Sequence, residues 1–387
     1  MKVLIHSNGP HVPSGYGKQA RLAGRILRDL GHQVAFSCFS GLSGQPIRWD
    51  GYTLFPAGAI DYSPDMVVPH ALTYGADLIM PLMDFFKLGP AARQMAEVRD
   101  RGIDTAAFII SDCRAEDGGI SAKDRQVLAA SGATPVAVSK FGAENLAATG
   151  YPDAPYVPHC ADTAVFRPPE DRQALRDELG TPGEFVIGIM AANRDVVRKG
   201  FPEQMAAFAR FARRHKDVQL ALFTEARGPS GIALDEMAAD FGIMDKTIFM
   251  PPYEQVAGML PDEFCAKWFG SIDVLSLCSY AEAFGVPIIE AQACGTPVIA
   301  TDFSAMTELA GATGWLVKGQ RFWNPAHRAW WSRPDEDAIV RAYEKAYQDG
   351  PSDDRRAACV RFAAGYGTEE VREQYWRPFM EKMEARG

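Results

Sequence analysis

No stretch of this sequence approaches the ~20 consecutive apolar residues that a bilayer-spanning helix needs. Cysteines are few and unpaired in pattern. The seven (Cys38, Cys113, Cys160, Cys265, Cys278, Cys294 and Cys359) are odd in number and never spaced Cys-x-x-Cys. That spacing excludes a disulfide framework and a zinc ribbon. The opening Met1-Lys2-Val3-Leu4-Ile5-His6 turns polar too quickly for a signal peptide, so a cytoplasmic location is the expectation. A basic excess is also missing. Residues 1–165 carry 14 Lys+Arg against 16 Asp+Glu, and the remainder 26 against 33. A duplex nucleic-acid binder would show the opposite balance.

A dinucleotide oxidoreductase is disfavoured as well. Gly9, Gly15 and Gly17 do not make G-x-G-x-x-G, and the second strand ends Phe36-Ser37-Cys38 without a ribose-binding acid. The seven histidines form no ligand spacing. Asp335-Glu336-Asp337 matches D-x-D, but it follows Pro334 and precedes an apolar run, which suits a helix cap better than a metal site. Neither a metal nor a cofactor is expected.

What is present is an alternation of short apolar runs with longer helical patterns, the mark of βαβ units and parallel sheets. The 387 residues exceed the roughly 250–300 at which a single core stops growing. The spacing predicts strands at Val3–Ile5, Val34–Phe36, Leu78–Leu82, Ala107–Ile110 and Val136–Val138. A second set falls at Phe185–Met190, Leu220–Phe223, Ile248–Met250, Val274–Leu277 and Val298–Ala300. Leu22, Ile26 and Leu30 mark a first helix stopped by Gly31. A proline-rich stretch from Tyr151 to Pro169 separates the sets. The expected domains are therefore 1–165 and 166–366. A last helix reads over about Glu369–Lys382, with Val371, Tyr375 and Phe379 on one face. The fold class is α/β, two Rossmann-like domains with parallel sheets, which bind ligands at the carboxyl ends of their strands.

The candidate chemistry falls at such strand ends. After Val274–Leu277 comes Tyr280-Ala281-Glu282-Ala283-Phe284-Gly285-Val286-Pro287-Ile288-Ile289-Glu290. Pro287 suits a first helical turn, and Gly295 can stop the helix. Phe284, Gly285 and Val286 then offer free N–H groups to phosphate. Glu282 precedes that anion site and Glu290 lies about a turn inside it, both suited to accept hydrogen bonds from sugar or ribose hydroxyls. The plain alternative is two solvated glutamates. After Phe185–Met190, Asn193, Arg194 and Lys199 stand in the loop before the next helix. Arg offers a fork to a diphosphate and Lys a point charge; the alternative is a solvated basic loop.

Together these residues resemble the retaining glycosyltransferases of family 4 (glycosyl transferases group 1), which have the GT-B fold. Glu282 and Glu290 match the family's two glutamates with seven residues between. Arg194, Lys199 and Gly200 match its Arg, Lys and Gly, and Pro158-His159-Cys160-Ala161-Asp162 through Phe166-Arg167-Pro168 resembles its H-G-V-D-x-x-x-F-x-P. Ala293 through Ala300, and Glu308, also fit its pattern.

The resemblance implies two facing domains, with the segment 367–387 crossing back to the first. It implies a nucleotide diphosphate sugar as donor and co-substrate, with an unidentified acceptor. Arg194 and Lys199 would neutralise the leaving diphosphate, Glu282 hold the donor sugar and Glu290 the ribose. Thr224, Pro252 and Tyr253 would lie near base and ribose, and the loop with Gly15 and Gly17 would meet the diphosphate from the other side. Asp112 stands where many relatives have a His, and is counted with the catalytic residues for contact with sugar or acceptor. An epimerase or hydrolase of nucleotide sugars, or a non-catalytic binding module, are the competing functions. Lys18, Arg21, Arg25 and Arg28 form a basic helical stripe, either solvated or facing an anionic acceptor or a peripheral membrane surface.

Overall fold

The computed structural model describes residues 1–84, 88–180, 185–251, 254, 260–311 and 313–386. Two compact units emerge. The first comprises Met1–Cys160, Trp323–Trp330 and Thr368–Gly387, and the second Ala161–Phe322 and Trp331–Gly367. The division falls at Cys160/Ala161, a few residues before the expected 166.

In the first unit the strands are β1 (Lys2–Asn8), β2 (Gln33–Ser40), β3 (Ile47–Trp49), β4 (Tyr52–Phe55), β5 (Leu78–Asp84), β6 (Asp104–Ile110) and β7 (Thr134–Ala137). They form one sheet in the order β3-β4-β2-β1-β5-β6-β7. All pairs are parallel except β3 with β4. The β3–β4 hairpin was not read from the sequence. It turns through Asp50 and Gly51, both at positive φ, an Asp-Gly pair of the kind two-residue hairpins favour.

The C-terminal segment packs into this unit's core through Val371, Trp376, Phe379, Met380 and Met383. It is not one regular helix. Residues Arg372–Trp376 form a π-turn between Thr368–Val371 and Arg377–Glu384. The wider turn shifts the register, so Trp376 rather than Tyr375 is buried and stacks on Phe108 at 5.3 Å.

In the second unit the sheet runs β10-β9-β8-β11-β12-β13. Its members are β8 (Phe185–Met190), β9 (Val218–Phe223), β10 (Thr247–Phe249), β11 (Val274–Leu277), β12 (Val298–Thr301) and β13 (Trp315–Val317). The central strands are buried on both faces, as parallel sheets covered by helices require. A further hairpin, β14 (Gly319–Asn324) and β15 (Ala329–Pro334), follows. Asp335 caps the next helix by accepting a hydrogen bond from Ala338 N at 2.8 Å. Among the described residues no helix is long and apolar enough to cross a membrane.

Candidate functional site

The second unit gathers its charged residues where β8 and β11 end. Two parallel neighbours finish side by side, so the loops that follow them meet. Gln204 ties those loops together. Its Nε2 donates to the carbonyls of Lys199 (2.9 Å) and Gly200 (3.3 Å), while its Oε1 accepts from Ser276 Oγ (2.8 Å) and Cys278 N (3.1 Å). Gly200 sits at φ +59°, and a Cβ there would fall onto the carbonyl oxygen of Cys278. Only glycine lets the backbones approach this closely.

Glu282 is held by this arrangement. Lys199 Nζ donates to its Oε1 at 2.5 Å, Ser279 Oγ to the same oxygen at 2.8 Å, and Arg198 Nη1 to Oε2 at 3.3 Å. Its own N–H bonds Ser304 Oγ at 3.1 Å. Ser304 adopts φ +55°, ψ −151°, a conformation favoured by glycine and costly for serine. Glu282 is only 8% exposed. Burial opposes its ionisation, but attraction to Lys199 and Arg198, with hydrogen bonds from Lys199 and Ser279, outweighs that and pulls it down to about 2. Glu282 is a carboxylate at neutral pH.

The helix Val286–Ala293 starts at Gly285, which takes φ +96°, with Pro287 in the first turn. Its N-terminal N–H groups begin three residues after Glu282. Glu290 lies one turn in and is 2% exposed. Neither glutamate is a solvated surface residue.

Arg194 and Lys199 have different partners in the structure. Arg194 does not join Lys199 at Glu282; it is 70% exposed and pairs with Glu225 at 3.2 Å. Arg198, which the sequence reading passed over, takes that place. Asp195 Oδ1 accepts from the N–H groups of Val197 (2.7 Å) and Arg198 (2.6 Å), and Tyr280 N donates to Arg198 O at 2.8 Å. That turn presents Arg198 and Lys199 together. Ser279 and Ser304 were also missed, since isolated serines carry no spacing signal.

Asn193 is buried, with its amide engaged by the backbone of Glu225 and Ile232 at 2.7–3.0 Å; it shapes the loop around it. Thr224 is buried just beyond β9. Pro252 and Tyr253 lie outside the described residues. In the first unit, Ser14 caps the helix Gly15–Asp29 by accepting from Gly17 N. That N–H is therefore engaged, whereas the space around Gly15 is open. Asp112 stands beside Cys113 and His327 in the first unit.

Residues 184–328 match the family model described as glycosyl transferases group 1. Over those residues the chain is similar to the glycosyl transferases group 1. A D-inositol 3-phosphate glycosyltransferase from Nocardia farcinica is 36% identical over 172 residues, covering 42% of this chain and 36% of its own. The chain spans less than half the length of the curated relatives it matches.

Two solved structures align over nearly the whole chain. A glycosyltransferase from Rickettsia africae ESF-5 superposes with a TM-score of 0.71 at 16% identity, covering 99% of this chain and 98% of its own. Anabaena Alr3699/HepE in complex with UDP and glucose gives 0.67 at 17%, covering all of both. At such identities the likeness shows the fold, which is GT-B.

Proposed function

We propose that this chain is a group 1 glycosyl transferase that moves a sugar from a nucleotide diphosphate onto an acceptor hydroxyl with retention of anomeric configuration. One observation carries the reading: a buried, ionised Glu282 clasped by Lys199 and Arg198 directly before the Gly285-capped helix. The Phe284–Val286 N–H groups receive the diphosphate, Glu282 accepts from sugar hydroxyls and Glu290 from the ribose. Arg194, exposed in the same loop, turns from Glu225 to the diphosphate.

In the step, the bond from the anomeric carbon to the diphosphate oxygen breaks and the acceptor oxygen bonds that carbon on the same face. The acceptor's proton passes to the leaving diphosphate. Negative charge grows on the leaving group; Lys199 and the helix N–H groups are fixed in advance to meet it, and Arg194 joins them on turning from Glu225. These groups do the neutralising, so the step is written without a metal.

Because HepE binds UDP and UDP-glucose, uridine diphosphate sugars are the first donors to assay. Inositol 3-phosphate, the acceptor named for the Nocardia relative, is the first acceptor. The test is transfer monitored by release of nucleotide diphosphate, with the product anomer read by NMR. Donor turnover at an unchanged rate across every acceptor tried, including none, would instead identify a nucleotide-sugar hydrolase.

A further inference from the structure

We infer that Asp112, Cys113 and His327 form a binding site for a divalent transition-metal ion of the zinc class. The inference rests on the first unit alone and is independent of the transfer reading.

One ligand atom from each of the three residues lies within 4.8 Å of the others. A tetrahedral zinc with bonds of about 2.0–2.3 Å sets its ligand atoms roughly 3.3–3.8 Å apart. The three are thus within about an ångström of a coordinating geometry, a rotamer adjustment away. The donor set is one carboxylate, one thiol and one imidazole. That mixture suits zinc, cobalt and nickel, and is too soft for magnesium or calcium.

Both carriers of the site are fixed beforehand. Asn145 Nδ2 donates to the carbonyl of Cys113 at 3.0 Å and to Ser111 Oγ at 3.3 Å. Arg114 Nε returns a bond to Asn145 Oδ1 at 2.9 Å. His327 arrives on the tip of the β14–β15 hairpin. Arg114 and Trp330 exchange backbone hydrogen bonds at 2.9 and 3.1 Å, which fixes the register of the tip against the loop. Within the turn, Asn324 Oδ1 accepts from Ala326 N and His327 N at 2.9 and 3.1 Å.

Arg328, next in sequence, takes φ +52°, a left-handed conformation unfavourable for a long side chain. Strain of this kind persists where the surroundings over-determine it. Here it ends the turn that delivers His327 to Asp112 and Cys113.

The buried carboxyl of Asp124 stands close enough to interact with both His327 and Asp112. Binding releases one proton, from the Cys113 thiol, and leaves its sulfur bonded to the ion. Asp112, Cys113 and His327 supply three positions, leaving the fourth to water.

The test is titration of chelator-stripped full-length protein with Co²⁺. The expected result is one equivalent bound with the visible bands of low-coordinate cobalt and a near-ultraviolet thiolate-to-cobalt band, all removed by added Zn²⁺. Cys113→Ser should lose the near-ultraviolet band. His327→Ala, on the hairpin turn, should bind more than about tenfold more weakly, since even indirect supporting groups cost 10–100-fold. Circular dichroism verifies that each variant folds, and the wild-type titration stands without them. No cobalt uptake by the wild type, a thiolate band persisting in folded Cys113→Ser, or unchanged affinity in His327→Ala would each overturn the assignment.

Discussion

Lys199 Nζ and Glu282 Oε1 are 2.5 Å apart, and the two residues come from loops that follow neighbouring strands β8 and β11. The contact holds Lys199 at the place where a leaving diphosphate is proposed to gather charge. Its attraction to that group should be greater in the transition state than in the bound donor, so its loss should appear in kcat more than in KM. Lys199→Ala is expected to lower kcat about 10²–10³-fold, as removal of one pre-positioned donor does, and Arg194→Ala to lower it as well. Together they should lose less than the product of the two, because both act on one group. Steady-state kinetics decide it. Wild-type turnover in the double variant, or an inverted product anomer, would overturn the mechanism.

The two glutamates should separate by what they bind. Glu290→Ala should weaken the free nucleotide diphosphate by about 1–3 kcal/mol, the worth of a hydrogen bond to a charged group. Glu282→Ala should leave nucleotide affinity nearly unchanged and reduce turnover. Isothermal calorimetry with UDP measures the first quantity directly. Equal losses of affinity in both variants would contradict the assignment.

Transfer should not depend on Mg²⁺ or Mn²⁺. Lys199, Arg194 and the N–H groups of Phe284–Val286 supply the positive potential that a metal otherwise would. After exhaustive EDTA treatment the rate is expected to be unaffected by adding back either ion. Activity that is lost and then restored by Mg²⁺ or Mn²⁺ would sink this prediction. Restoration by Zn²⁺ alone would instead trace to the Asp112–Cys113–His327 cluster.

The central strands of both sheets were legible in the sequence because buried parallel strands are short, continuous apolar runs. The strand-to-helix junction at Gly285-Val286-Pro287 was legible because the helix-start signal is local. What escaped notice depends on tertiary contact or lies toward the sheet edges. Strands β3, β4 and β13 lie toward the ends of their sheets and mix exposed or half-buried positions with buried ones, so no continuous apolar run marks them, although the Asp50-Gly51 turn was available as a signal. Arg198 was hidden beside Lys199, since nothing in spacing says that an Asx-type turn at Asp195 will bring both to one carboxylate. Trp376 displaced Tyr375 from the buried face because a π-turn breaks the 3.6-residue period on which the reading relied. His327 lies more than two hundred residues from Asp112 in the chain, so no ligand spacing could join them.

The depressed pKa of Glu282 makes a prediction about stability. The carboxyl lies at about 2 in the folded protein against 4.5 ordinarily. Burial works against the charge there, and Lys199 and Arg198 more than offset it. A group whose pKa falls on folding contributes stability that is fully present above its unfolded value. That contribution is lost as the pH drops toward the folded value. The shift corresponds to a contribution on the order of 3 kcal/mol at neutral pH. Glu282→Gln keeps the shape but removes the titration, so the gap in unfolding free energy between wild type and variant should be largest near neutrality. It should begin to close below pH 4.5 and nearly vanish near pH 2. Other groups, including the buried histidines His6 and His70 held at about 4, titrate in both proteins and cancel in the difference. Two units need not unfold as one transition, so calorimetry should follow the transition that the substitution moves. A gap that stays constant from pH 7 to pH 2 would show that Glu282 is not held ionised by Lys199 and Arg198.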